Sequence, residues 1–291
     1  MRSSERNPQP RSPEPHYKHD LGQHFLYNTT LLKMLVQKAG VQRTDRVLEI
    51  GPGAGTLTAC LCEVAERVVA VEVDEAMLPF LRLATEDYSN LEILPGDIRR
   101  MDMRKISAML GESWMVVANI PYNITTPILD LFFGSGLPVK KLALMVQREV
   151  AEKLLAEPGD DGYGLASIRC RYYCEPELLA TIPASAFTPP PKVDSAFIGL
   201  TMRVAPPAPV RDEALLWRVL RLAFNQRRKT LQNALKGQTL FTPDRVRATL
   251  NTLGLQPTVR GETLSVTQWI AFANALYAGE QAEHGTPITQ D

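Results

Sequence analysis

The sequence predicts an α/β fold: a mostly parallel sheet covered by helices and carrying an antiparallel edge strand, followed by a small all-helical C-terminal domain. Three features point there. From Arg46 onward, short apolar runs alternate with helix-like segments, several runs end in a glycine or an acid, and a break at Ala205-Pro206-Pro207-Ala208-Pro209 precedes a purely helical pattern. The 291 residues, 45% hydrophobic and 22% charged, suffice for one large domain and a smaller one.

Residues 1–16 hold Pro8, Pro10, Pro13 and Pro15 among polar and charged neighbours, too little apolar surface to repay ordering, so a disordered tail is expected. Next comes the glycine-led loop Leu21-Gly22-Gln23-His24-Phe25-Leu26. Asn28 or Thr29 then caps a helix whose apolar positions are Leu31, Leu32, Leu35 and Val36. Apolar runs predict strands at 46–50, 67–73, 91–94 and 114–120, with helices at 56–65 and 75–84. Further strands are expected at 142–147, 178–182 and 196–202, and helices near 127–133 and 147–155. The last two strands, joined by a long loop, are placed to close the sheet with the antiparallel edge. After the proline break, helices are expected at 213–224, 230–235, 243–253 and 266–278. The chain therefore divides into a tail (1–16), a sheet domain (17–207), a helical domain (208–280) and a flexible tail (281–291).

Thirty-two basic residues balance thirty-two acidic ones, so net charge alone points to no polyanionic partner. Their distribution is more telling. Between Leu200 and Leu240, Arg203, Arg211, Arg218, Arg221, Arg227, Arg228, Lys229 and Lys236 face only Asp212 and Glu213. Cys60 and Cys62, and Cys170 and Cys174, lie in apolar segments without a nearby histidine, so reduced core thiols are expected and no metal site. The absence of a secretory-type apolar stretch and of any 18-residue apolar run gives a cytoplasmic expectation with no membrane partner.

The first strand ends in Glu49-Ile50-Gly51-Pro52-Gly53-Ala54-Gly55, where alternate glycines allow a sharp turn and close approach of a ligand. A dinucleotide loop places its third glycine three residues after the second; here the interval is two, which suits a nucleoside lacking the pyrophosphate. Glu72, ending the second strand, can accept from two ribose hydroxyls, and Asp97, beyond the third, from an exocyclic adenine amine. Each acid alone is more often a cap or turn residue. Together they indicate adenosine recognition, and the arrangement resembles the class I S-adenosylmethionine-dependent methyltransferases with their Rossmann-like sheet. That resemblance implies Gly51 near the methionine part, Glu72 on the ribose and Asp97 on the adenine.

The fourth strand ends in Asn119-Ile120-Pro121-Tyr122. Methyl transfer to an aromatic amine needs the lone pair aimed in line at the methyl. Acceptors that hold the two amine hydrogens, the Asn119 amide oxygen and a backbone carbonyl near Pro121, favour a more tetrahedral nitrogen as positive charge develops. Proline has no N–H and fixes φ, which helps present that carbonyl, and Tyr122 is placed to stack on the base. A second aromatic, Phe187, precedes the stiff run Pro189-Pro190-Pro191 and is expected to form the other half of a base clamp.

Five segments together resemble the ribosomal RNA adenine N6,N6-dimethyltransferases, nearest the bacterial small-subunit type. They are 22–26, 49–55, 119–123, 187–195 and Phe224-Asn225-Gln226-Arg227-Arg228-Lys229-Thr230, and the resemblance runs from about 18 to 280. It implies dimethylation of two adjacent adenosines in a hairpin near the 3′ end of small-subunit rRNA, and a partner in the assembling 30S-type particle. It also implies cofactor contacts at His24, Leu26, Gly51, Gly53, Glu72, Asp97 and Asn119, catalytic roles for Asn119, Pro121, Tyr122 and Phe187, and a monomer. Arg227, Arg228 and Lys229 are the expected RNA phosphate contacts of the helical domain. Two alternatives stand beside this reading: a large-subunit adenine methyltransferase of the macrolide-resistance type, and a non-enzymatic ribosome-assembly or transcription factor on the same fold.

Overall fold

The computed structural model describes residues 24–237 and 241–284, with side chains to 278; the tail at 1–16 and the Leu21-Gly22-Gln23 part of the first motif lie outside them. The described residues open with β1 (Phe25–Leu26), α1 (Thr29–Ala39), β2 (Arg46–Ile50), α2 (Thr56–Cys62), β3 (Arg67–Glu72), α3 (Leu78–Ala84) and β4 (Leu91–Pro95). It continues through α4 (Met103–Leu110), β5 (Trp114–Asn119), α5 (Thr125–Phe132), β6 (Val139–Gln147), α6 (Arg148–Leu155), α7 (Leu165–Tyr173) and β7 (Cys174–Ile182). The rest is β8 (Phe187–Thr188), β9 (Ser195–Met202), α8 (Glu213–Asn225), α9 (Leu231–Ala234), α10 (Pro243–Thr252) and α11 (Val266–His284).

The main sheet has seven strands in the order β4-β3-β2-β5-β6-β9-β7. β4, β3, β2, β5 and β6 pair in parallel, while β9 runs antiparallel between β6 and the edge strand β7. Side chains alternate across it as the two-residue period requires. Val47, Val68, Met115 and Val117 face α1 and α2, whereas Leu48, Val69, Val116 and Ala118 face α4 and α5. Asn28 is the cap of α1, its side chain accepting from Leu31 N at 3.0 Å. The four cysteines are free and buried within these cores.

Two helices have no counterpart in the expected pattern. α4 is short, capped by Asp102 and anchored by Ile106 and Leu110. α7 lacks a single apolar stripe because it is buried on two sides, Cys170 against the sheet core and Ile168 and Tyr172 against the helical domain. The second core is accordingly not confined to residues beyond 208. Ala156, Tyr163, Ile168 and Tyr172 pack with Leu216, Val219, Trp269 and Phe272, and Tyr163 donates to the Leu264 carbonyl at 2.8 Å. At the other end, α11 runs to His284, so the first residues of the expected tail at 281–291 are helical. Among the described residues no helix is long and apolar enough to cross a membrane.

Candidate active site

β2 and β5 are neighbours whose chains leave in opposite directions, the place where an open α/β sheet forms a crevice at its carboxyl edge. The two strands pair only through Val47 with Met115 and Leu48 with Val116, so their last residues part and open that crevice. It is a cavity of about 1240 Å³, its open mouth included, lined by His24, Leu26, Glu49, Gly51, Gly53, Glu72, Asp97, Asn119, Pro121 and Tyr122. Residues expected from four strand ends and from the loop before α1 thus meet around one space.

The glycine loop floors it. Gly51 (φ 70°) donates to the Val71 carbonyl at 2.9 Å, tying the turn to β3. At Gly53 (φ 57°) an added Cβ would lie 2.3 Å from the Phe25 ring, so this position needs both the left-handed backbone and the missing side chain. Gly53→Ala is expected to push Phe25 off the loop and weaken binding of a nucleoside in the cavity by about 10-fold or more, given strain of roughly 1–3 kcal/mol. Calorimetry with an adenosine-containing ligand checks this; unchanged affinity would show that the Phe25 contact does not shape the loop for binding.

The acids are more committed than their sequence positions suggest. Glu72 is 3% exposed and accepts from Gly53 N at 2.8 Å and Asp74 N at 2.7 Å, one bond to each oxygen, so it braces the glycine loop. Burial pushes its carboxyl up, and the Asp74 and Gly53 donors oppose that rise. Asp97 is clamped by Arg99, through Nε at 2.9 Å and Nη2 at 2.7 Å, which holds its carboxyl below the ordinary range. Both keep lone pairs for a ligand. Glu49, in sequence only the acid before the loop, is the most buried of the three. It is 1% exposed, its Oε2 has no hydrogen-bond partner among the described residues, and burial pushes it up to about 8. Near pH 7 it is mostly protonated, and a positive charge brought beside it favours its ionised form, so this carboxyl next to a glycine cradle and two further acids fits a nucleoside that carries positive charge.

Beside the loop, Asn119 Nδ2 donates to the His24 carbonyl at 2.9 Å. That bond turns the amide so that Oδ1 is its other face. The Pro121 carbonyl accepts from Ile124 N at 3.1 Å and retains its second lone pair. Tyr122 stacks beside the His24 ring, centroids 5.6 Å apart and planes 24° apart, while its hydroxyl meets Ser195 Oγ at 2.5 Å. Burial pushes the phenol up, so the ring stays neutral near pH 7.

Phe187 corrects the sequence reading. β8 pairs antiparallel with β1, Leu26 opposite Phe187, and the ring is 3% exposed among Leu26, Ile182 and Phe197. Its place in the β1–β8 pair puts the ring in the core, and it does not line the cavity. Neither β1 nor β8 has a local signal, because each two-residue strand exists only through its distant partner. In the helical domain, Arg227 is engaged internally, with Glu262 Oε2 at 2.8 Å and the Asp160 carbonyl at 3.3 Å. Arg228 and Lys229 are exposed and have no ion-pair partner among the described residues.

The sheet order and the cavity at its switch point define a class I methyltransferase with a helical C-terminal unit. The chain matches the family described as ribosomal RNA adenine dimethylase over residues 15–277, and it belongs to that family. Relatives named Ribosomal RNA small subunit methyltransferase A are similar over most of their length. The protein of Geobacillus thermodenitrificans is 39% identical, covering 89% of this chain and 91% of its own, and that of Bacillus mycoides 40%, covering 89% and 91%. Among solved structures, the 23S rRNA methyltransferase ErmE aligns with a TM-score of 0.68 at 26% identity, over 87% of this chain and 99% of its own. A dimethyladenosine transferase from Plasmodium falciparum shares the fold with a TM-score of 0.71 at 24% identity, over 90% and 98%.

Proposed function

We propose that this protein is an S-adenosylmethionine-dependent methyltransferase that dimethylates the N6 amines of two adjacent adenosines in a hairpin near the 3′ end of small-subunit rRNA. The observation that carries the reading is the Asn119 amide, locked by its nitrogen to the His24 carbonyl in the cavity that the Gly51–Gly53 loop also lines. The names of the relatives near 40% identity point to the small subunit.

The cofactor, when bound, supplies a sulfonium-activated methyl group. The chain's residues do the rest. Gly51 and Gly53 admit it against the backbone, Glu49 offers an unpaired carboxyl to its positive end, and Glu72 and Asp97 offer their remaining lone pairs to its ribose and adenine. Asn119 Oδ1 and the free lone pair of the Pro121 carbonyl accept the two hydrogens of the target amine, which aims its nitrogen lone pair at the methyl. Tyr122, fixed by Ser195, stacks on the extruded base, a contact worth about 1–3 kcal/mol. The site works in the cytoplasm, on the assembling small-subunit particle, as a monomer.

Transfer of labelled methyl groups to immature small subunits, with protein-free large-subunit rRNA in parallel, tests the substrate. Labelling of the former is expected; labelling of the latter alone overturns the assignment in favour of the macrolide-resistance type. Cofactor binding without transfer to either RNA favours a non-enzymatic assembly factor. Arg228 and Lys229 are the phosphate contacts, so replacing both by Ala should weaken RNA binding and reduce the salt slope by about 2. Arg227→Ala acts differently, loosening the tie to Glu262 and lowering the unfolding temperature.

A further inference from the structure

We propose that His24 is a positioning residue for the acceptor amine, acting through Asn119 and Tyr122 and distinct from the cofactor contact its place in the sequence implies. The inference rests on the methyl-transfer reading above.

His24 lines the cavity and touches three residues: Asn119 and Tyr122, which line it too, and Pro189 in the loop behind them. Its carbonyl accepts from Asn119 Nδ2 at 2.9 Å, its Nδ1 lies 2.7 Å from the Pro189 carbonyl, and its ring stacks beside Tyr122. A carbonyl oxygen can only accept, so Nδ1 carries the proton and donates. The origin of that bond is in the ladder. Phe25 pairs with Thr188 and Leu26 with Phe187, which makes His24 and Pro189 the next step of an antiparallel pair. Proline has no N–H to give the His24 carbonyl there; that carbonyl takes its hydrogen from Asn119 Nδ2 instead, while the His24 side chain donates to the Pro189 carbonyl.

The loop so gripped is the one that also fixes Tyr122. It starts at Pro189, bonded to His24, and ends at Ser195, whose Oγ lies 2.5 Å from the Tyr122 hydroxyl. Between them, Asp194 accepts from Ala184 N at 2.9 Å through its side chain and from Arg148 N at 3.0 Å through its carbonyl, so the far end is anchored to the sheet. Tyr122 is therefore held by its hydroxyl and flanked on its face, and the His24 contacts are what join the Asn119 amide, the ring and the proline loop into one unit. Releasing the side chain frees the Pro189 end of the loop and leaves the His24 backbone, whose carbonyl orients the Asn119 amide, without its lateral anchor. A displacement of an ångström at a reacting atom is enough to cost about 100-fold in rate.

Single-turnover methylation of immature small subunits, with cofactor affinity measured by calorimetry, tests this. His24→Ala is expected to lower the transfer rate about 10- to 100-fold at saturating cofactor while the cofactor Kd stays within about threefold. His24→Asn places an amide N–H as many bonds from Cα as Nδ1 is, and should recover most of the loss; His24→Phe keeps the stack without the donor and should remain slow. Thermal unfolding of each variant confirms that it is folded. An unchanged rate in His24→Ala overturns the proposal. So does a weakened Kd with an unchanged saturated rate, which makes His24 a cofactor contact only, or an Asn variant no faster than the Ala variant. A wild-type enzyme that transfers no methyl group overturns the proposed function itself, and that is read before any variant is made.

Discussion

Asn119→Ala is expected to lower the methyl-transfer rate by about 10²- to 10³-fold, the loss typical of removing one preorganised polar group that stabilises developing charge. Cofactor affinity should change only a few-fold. The structure gives this prediction two parts, because the Asn119 amide has two jobs. Its nitrogen is spent on the His24 carbonyl, and its oxygen is left for the target amine. Asn119→Asp separates them. The carboxylate still accepts but has no hydrogen to donate to His24, and two acceptor oxygens then face each other across a distance that now holds a bond. Asn119→Asp should therefore be nearly as slow as Asn119→Ala, and more weakly strapped over the cofactor. Transfer by Asn119→Asp at close to the wild-type rate would show that acceptance alone suffices and that the bond to His24 is incidental.

The parts of this site legible in the sequence are those fixed by local chain geometry. A buried parallel strand announces itself as an apolar run, and the residues just beyond its end must lie at the carboxyl edge, so the sequence alone brings Gly51, Glu72, Asp97 and Asn119 together. What each does to its neighbours was not legible. That Glu72 spends both oxygens on backbone donors, and Asp97 its own on Arg99, depends on which donors the folded loops turn inward. The same limit explains α7. Its two buried faces cancel the stripe by which an amphipathic helix is recognised: Ile168 and Tyr172, four residues apart, share one face, and Cys170 lies on the other. Arg227 is the electrostatic case: three adjacent cations look alike in sequence, but only the first finds Glu262 once the loop before α11 has folded against it.

Phe187→Ala is expected to destabilise the protein by about 3–5 kcal/mol, the range for removing a buried phenylalanine side chain. For a chain of this size that lowers the unfolding temperature by on the order of 10 °C. The reason is its place: opposite Leu26 in the β1–β8 pair, with Ile182 and Phe197 in the same cluster, the ring anchors to the main sheet the two-stranded unit that carries His24 and the proline loop. Tyr122→Ala makes the contrast. Its ring lines the cavity and is half-buried, so losing it should slow transfer strongly with a smaller effect on unfolding. Tyr122→Phe, which removes only the hydroxyl bond to Ser195, should sit between Tyr122→Ala and wild type in rate. If instead Phe187→Ala unfolds at the wild-type temperature and loses transfer as Tyr122→Ala does, the ring leaves the core to meet the base, and the two-ring clamp that the sequence suggests is restored. Stability and transfer must both be measured, since a core anchor and a base stacker each slow the enzyme but only the anchor is required for the apoprotein to stay folded.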